Sequence, residues 1–480
     1  MHRRLLTPLL FPLLVLLTAC PADSDAKSLS EVASVAAERT AAAVAERAGP
    51  VVLPGPSFED PWPFPSAPEA LKGKTVPAAH ADREVAMATN FDAVVFNRVR
   101  SGRYHIGTIR RGTTLPIVGQ VESKRCSKGR WIELEGGGFI CEGLGFRVEK
   151  NPSPEDQREP DLSQVLPYRF ASVKKGQPVL RLSALPTEAQ LGNLSGSGLV
   201  QEVMEGDYFV GIDRVEEVAG RRFVRTVRGH YVEEKYLEEL PPSAMHGELL
   251  GEGGMTLPIA FVLDDEVPLW CLEDGAEVCG HAEKHARFKV VGQREVNGVT
   301  LVRGERFGVD AEHVRVARQI PRPESVGADE KWVHLDLAEQ TMIAYEGDRP
   351  VMATLISSGR DPFRTPAGTW RTDRIYLTKT MRGKDPVDGV YDVEEVPWAL
   401  FYFRGYAIHG AYWHNNFGRV RSHGCTNLAP LDARWLYEWS SHQVPEGWHA
   451  TFLGQGMTVH FTNERREAVA GSTAVENVGS

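Results

Sequence analysis

Cysteine is scarce, with six among 480 residues, and no apolar run approaches the roughly 20 residues a bilayer-spanning helix needs. Excess positive charge is absent too. A formal net charge of −10 gives no general attraction for phosphate backbones, so nucleic acid is excluded as a partner. What remains is an ordinary globular composition, 42% hydrophobic and 25% charged, which excludes wholesale disorder and multiple membrane spans. At about 100–200 residues per domain, the length suggests about three domains.

The amino terminus speaks to the compartment. His2-Arg3-Arg4 precedes an apolar run over 5–17, broken by Thr7, Pro8 and Pro12, then small residues and Cys20. The run is too short to span and reads as a signal peptide over 1–19. Leu17-Thr18-Ala19-Cys20 resembles the bacterial lipobox, so Cys20 is expected to carry lipid. The protein is then a periplasmic, lipid-anchored component of the cell envelope, with the outer membrane favoured over the inner. An ordinary cleaved signal with Cys20 lost or unmodified is the competing reading. Export permits disulfides, and nearness in sequence pairs Cys126 with Cys141 and Cys271 with Cys279, leaving Cys425 free. The alternative keeps all five reduced and buried, since nearness does not establish bridging geometry.

Composition divides the rest. Residues 20–87 are rich in Ala, Pro, Ser and Glu and read as an extended tether. From about 88 to 320, short alternating runs such as 114–121, 131–134, 209–212 and 223–227 are separated by Gly, Pro and Asp turns. This pattern predicts small antiparallel β modules over 88–150, 160–243 and 255–320. An internal repeat links the last two: Glu217-Val218, Gly220 and Phe223-Val224-Arg225 match Glu295-Val296, Gly298 and Leu301-Val302-Arg303. Residues 330–463 are again mainly β, interrupted by one short amphipathic helix after Pro430 that carries Leu431, Arg434, Trp435, Leu436 and Tyr437. The polar tail 464–480 is expected to be disordered.

Within 330–463 lies Ile408-His409-Gly410, followed by Gly418 and then Ser422-His423-Gly424-Cys425-Thr426-Asn427. A cysteine attacks as thiolate and needs a neighbour to take its proton, which histidine can do near neutral pH. His409 is the better base, because a residue two positions from the nucleophile in a tight turn points its ring elsewhere. Gly424 lets the backbone turn so that successive amides converge on a developing oxyanion. Isolated cysteine and histidine titrate near about 8.5 and 6.5; pairing as thiolate and imidazolium is expected to lower the first and raise the second.

The span 332–461 resembles the YkuD-like L,D-transpeptidase family through His409-Gly410, the 422–427 loop, and Thr365-Pro366 and Gly368 after Ser357-Ser358-Gly359. The resemblance implies a mainly β fold: a sandwich or barrel-like catalytic domain with one or more short helices. Residues 104–146 resemble a bacterial SH3-like barrel, a reading extended to the two later modules. Carried over residue by residue, Cys425 is the nucleophile, His409 the base and the Gly410 carbonyl the group orienting it. The amides of His423, Gly424 and Cys425 form the oxyanion hole, and Ser422 and Asn427 brace the loop. The implied chemistry is attack on the third-residue carbonyl of a peptidoglycan tetrapeptide stem, release of D-alanine, and transfer to an amine, giving a 3→3 crosslink or attachment of an envelope protein. Water as acceptor would give carboxypeptidase or endopeptidase activity, and the sequence does not choose. No cofactor or metal is implied. Two rivals are a zinc hydrolase using His409, His414, His423 and Cys425, and a non-catalytic peptidoglycan-binding lipoprotein. Tyr406 and Trp413 flank the motif and read as core.

Overall fold

The computed structural model describes residues 51–60, 83–99, 105–122, 126, 129–153, 159–251, 254–272, 277–386, 389–445 and 447–464. The signal segment, Cys20, most of the 20–87 tether and the tail beyond 464 lie outside these residues. The described chain is mainly β, with one α-helix, and no closed barrel is found among the described residues.

The internal repeat corresponds to matching hairpins. Gly206–Val218 pairs with Arg221–Thr226 across Ala219 and Gly220, at φ +46° and +78°. Gly292–Val296 pairs with Val299–Arg303 across Asn297 and Gly298, at φ +50° and +81°. Two successive positive φ values are what a two-residue hairpin turn demands, because that turn follows the twist of its strands. Each hairpin leads to a further strand, a 3₁₀ turn and a closing strand: 231–240 in one, 307–317 in the other. Both expected disulfides are present, with Cα separations of 5.5 Å for Cys126–Cys141 and 5.7 Å for Cys271–Cys279.

The carboxy-terminal domain packs two sheets together. In one, Lys331–Asp336, Thr341–Glu346 and Arg349–Leu355 form an antiparallel meander, and Thr458–Thr462 lies parallel to the first strand. The other is built on the long hairpin of Arg374–Asp385 and Gly389–Phe403, continued by Tyr406–Gly410 and Thr426–Leu428. Alternating side chains such as Val333, Leu335, Trp398, Leu400, Val459 and Phe461 fill the space between them. Helix Pro430–Trp439 begins at a proline, whose missing N–H costs nothing there, and buries Leu431, Leu436 and Tyr437.

None of the modules stands apart from this domain. His105–Ile109 pairs with Trp448–Phe452, and Gly206–Val218 pairs in parallel with Gly389–Phe403. From the third module, Phe261, Leu263 and Ile320 share a core with Trp332, Tyr345 and Phe417.

Candidate active site

Strand Tyr406–Gly410 runs parallel to Thr426–Leu428 with His409 opposite Asn427. Register partners share a face, and residues two apart on a strand return to it, so His409, Asn427 and Cys425 meet in one cleft of about 600 Å³. Cys425 is partly exposed there and is the free cysteine among the described residues. Its S–H lies 3.9 Å from the Gly405 carbonyl.

His409 is buried, and its Nδ1–H donates to the Gly410 carbonyl at 3.1 Å. That bond leaves Nε2 unprotonated and able to accept a proton. Burial pushes His409 down to about 4, against the pull of Gly410, and pushes the Cys425 thiol up to about 11, against the pull of the Ala407 backbone. This corrects the expected thiolate–imidazolium pair. Burial is the largest cause at each group, so at neutral pH both rest uncharged.

His423 is held on the other flank. Its Nε2 sits 2.9 Å from Asp385 Oδ2, and its ring stacks on Tyr391 at 4.4 Å. Arg360 also binds Asp385, at 2.8 Å, and so closes the cluster. His423 lines the same cleft as Cys425, with its Nε2 held by Asp385.

The 422–427 loop is braced by side chains. Ser422 Oγ accepts the Gly424 N–H at 3.0 Å and donates to the Cys425 carbonyl. Thr365 Oγ1 accepts from Gly359 N–H at 2.8 Å and donates to the Gly424 carbonyl at 2.7 Å. The expected oxyanion hole is corrected accordingly: the Gly424 amide is already bound to Ser422, leaving the His423 and Cys425 amides as candidates. Gly424 has φ +122°, and a Cβ there would come within 2.8 Å of Tyr406, so the turn needs glycine. Tyr406 thus backs the loop.

Asn427 is braced by His414, whose Nε2 lies 2.9 Å from its side-chain amide. The contact is made by Asn427 Nδ2, and the Asn416 N–H donates to His414 Nδ1 at 3.3 Å. Trp413, read as core, lines the cleft, 5.8 Å from the His409 ring. The histidines of the zinc alternative are therefore committed to different partners, and among the described residues no three His, Cys, Asp or Glu side chains gather to hold a metal ion.

Sequence reasoning missed Asp385 and Arg360, which hold His423, and the wall contributed by the 160–243 module through Ser172, Asp207 and Phe209. Asp385 lies far upstream of the loop with no local motif around it, so nothing in the sequence marks it.

Residues 330–460 match the family model of YkuD, the L,D-transpeptidase catalytic domain. No curated protein matches the chain. Among solved structures, a mutant L,D-transpeptidase of Enterococcus faecium is 22% identical over 28% of this chain and 50% of that one, with a TM-score of 0.23. An L,D-transpeptidase of Stackebrandtia nassauensis is 25% identical over 29% of this chain and 59% of that one, TM-score 0.21. One of Mycobacterium smegmatis is 16% identical over 53% of this chain and 99% of that one, TM-score 0.23. This chain spans 50% and 59% of the length of the first two.

Proposed function

With residues 330–460 matching the L,D-transpeptidase catalytic domain, we propose that the protein is a peptidoglycan L,D-transpeptidase using Cys425 as nucleophile. The observation that carries this reading is the meeting of a partly exposed thiol and a histidine, tied through Nδ1 to Gly410, in one cleft.

As Cys425 Sγ bonds to the third-residue carbonyl carbon of a tetrapeptide stem, its proton passes to His409 Nε2. The amides of His423 and Cys425 receive the charge developing on the carbonyl oxygen. The C–N bond to the terminal D-alanine then breaks, and His409 returns the proton to the departing amine. An acceptor amine next forms a bond to the thioester carbon and releases the cysteine. Because thiol and imidazole both rest neutral, proton transfer accompanies attack instead of preceding it.

Purified sacculi incubated with the protein and analysed by mass spectrometry test this directly. The expected product is a 3→3 crosslink or an amine-exchanged stem, lost in Cys425→Ala while the variant keeps its melting temperature; a Cys425→Ala protein that still forms the product removes the assignment. The pH dependence tests the base. With His409 at about 4 and Cys425 at about 11, the acylation rate rises only as His409 loses its proton and is flat through neutrality. In His409→Ala the rate is slow and climbs with pH toward that of the free thiolate. If His423→Ala is the variant that loses the plateau, the base is misassigned. The same reading places the protein in the periplasm, lipid-anchored through Cys20, and Cys20→Ala is expected to move it from the membrane to the soluble fraction.

A further inference from the structure

Strands Arg374–Asp385 and Gly389–Phe403 line the catalytic cleft with Met381, Tyr391 and Val393. Successive side chains on a strand point to opposite faces, and Arg382, Asp392 and Glu394 line a second cavity, of about 380 Å³. Met381 is the register partner of Val393 and Arg382 that of Asp392, so the two cavities lie on opposite faces of one strand pair. The 160–243 module completes the second cavity with Arg181, Glu202, Arg228 and His230.

Arg181 is 5% exposed and commits only one nitrogen of its guanidinium to hydrogen bonds with the protein. Nη1 donates to Asp392 Oδ2 at 2.8 Å and to Glu202 Oε2 at 3.1 Å. Nε and Nη2 have no hydrogen-bond partner among the described residues, the nearest carboxyl to Nη2 being that of Glu394 at 3.6 Å. These two N–H groups leave the planar guanidinium side by side, as a fork that matches the two oxygens of a carboxylate. Tyr208 lies against the guanidinium, with its ring centroid 5.6 Å away, and fixes its plane.

Two acceptors in the same cavity are also without partners: Asp392 Oδ1 and Glu394 Oε1, on side chains 3% and 1% exposed. Glu394 Oε2 already accepts the Gly211 N–H at 3.2 Å. Buried donors and acceptors left together are completed by a ligand that carries both kinds of group. A simple anion would meet the Asp392 charge and a simple cation those of Arg181 and Arg382, whereas a zwitterion offers each the opposite sign.

We propose that this cavity binds a free α-amino acid, its carboxylate on the Nε–Nη2 fork of Arg181 and its ammonium on Asp392 Oδ1 and Glu394 Oε1. The volume leaves room for a small side chain. The ligand ties the module to the strand that carries Val393 into the catalytic cleft, and so stiffens the cleft from behind. The site uses neither Cys425 nor His409, so it does not depend on the functional reading above.

Isothermal titration of the full chain with D-alanine tests this, against propionate, which lacks the ammonium, and ethylamine, which lacks the carboxylate. D-Alanine is expected to bind at least about tenfold more tightly than either, the order of one charge-assisted contact. Arg181→Lys keeps the positive charge, removes the fork and is expected to abolish that margin. Should that variant not fold, Gln201→Trp at the exposed rim fills the cavity without touching an ion pair and is expected to do the same. Hydrogen exchange locates the ligand, since D-alanine should slow exchange at the Gly211 amide that Glu394 holds. Absence of D-alanine binding, which leaves the cavity to water, overturns the proposal, as does propionate binding equally well. A margin unchanged in the variants, or protection of the catalytic cleft with Gly211 unaffected, overturns it too.

Discussion

The modules at 160–243 and 255–320 share a hairpin with the same turn, yet they meet the catalytic domain through different chemistry. The second is attached by packing: Leu263 and Phe261 enter a core with Leu355, Trp332 and Phe417, and its charged contacts, such as Arg419 with Asp264 at 2.6 Å, stay partly exposed at the rim. The first has apolar contacts too, but it also buries ions. Arg181 reaches the Asp392 and Glu202 carboxylates at 2.8 Å and 3.1 Å, with the Glu394 carboxyl 3.6 Å away. Arg228 reaches Glu395 at 3.1 Å, and Arg110 of the 88–150 module lies 3.5 Å from the same carboxylate. Apolar packing adheres with little demand on orientation, whereas buried ion pairs tolerate one arrangement. The module that lines the cleft is the one held by the orientation-sensitive contacts.

The difference can be broken from either side. Arg181→Ala, which strands buried carboxylates, is expected to cost about 3–5 kcal/mol, measured by chemical denaturation. A loss below about 1 kcal/mol would show that the ion pairs do not hold the interface. Leu263→Ala in the other module should cost about 2–5 kcal/mol through the cavity it leaves, with a salt dependence much weaker than that of Arg181→Ala. Equal salt dependence would erase the distinction.

A smaller effect comes from pH. Burial raises Glu394 from 4.5 to about 8, Arg181 opposing. A carboxyl raised on folding contributes stability that is complete below its unfolded value and lost as pH rises through its folded one. Melting temperature should therefore fall between about pH 4.5 and 8, and Glu394→Gln should flatten that part of the curve. Hydrogen exchange can locate the effect: the Gly211 amide, bonded to Glu394 at 3.2 Å, should loosen while Leu263 stays protected. Simultaneous loosening would refute the local origin. Smallest of all, Gly220→Ala and Gly298→Ala should each cost roughly 1 kcal/mol, because both glycines have left-handed φ in equivalent turns. A marked inequality would mean the repeats differ in their turns as well as in their partners.

Much of this molecule is legible along the chain because the relevant forces are local. The hairpin repeat shows through paired turn residues, and the helix through Pro430 followed by apolar residues at helical spacing. Both cysteine pairs lie within reach in sequence. The 422–427 loop carries its own serine brace and glycine turn. Other features escape that reading. Thr380 faces both Glu394 and Glu395 across a bulge in the long hairpin, where Glu395 adopts φ +52°. Strand alternation would bring one of two adjacent glutamates to the surface; both are buried, because both faces of this strand are covered from Asp392 to Tyr402.

Residue type and short spacing by themselves determined the β architecture, the separation of the repeats and the Cys425 and His409 pair, because turn geometry and a reactive loop are written within a few residues. Only the tertiary structure decided that His423 turns to Asp385, that the Gly424 amide is taken by Ser422, and that the 160–243 module walls the cleft. It also decided the resting charge of the pair, since desolvation depends on what the whole fold places around a group and not on its neighbours in sequence.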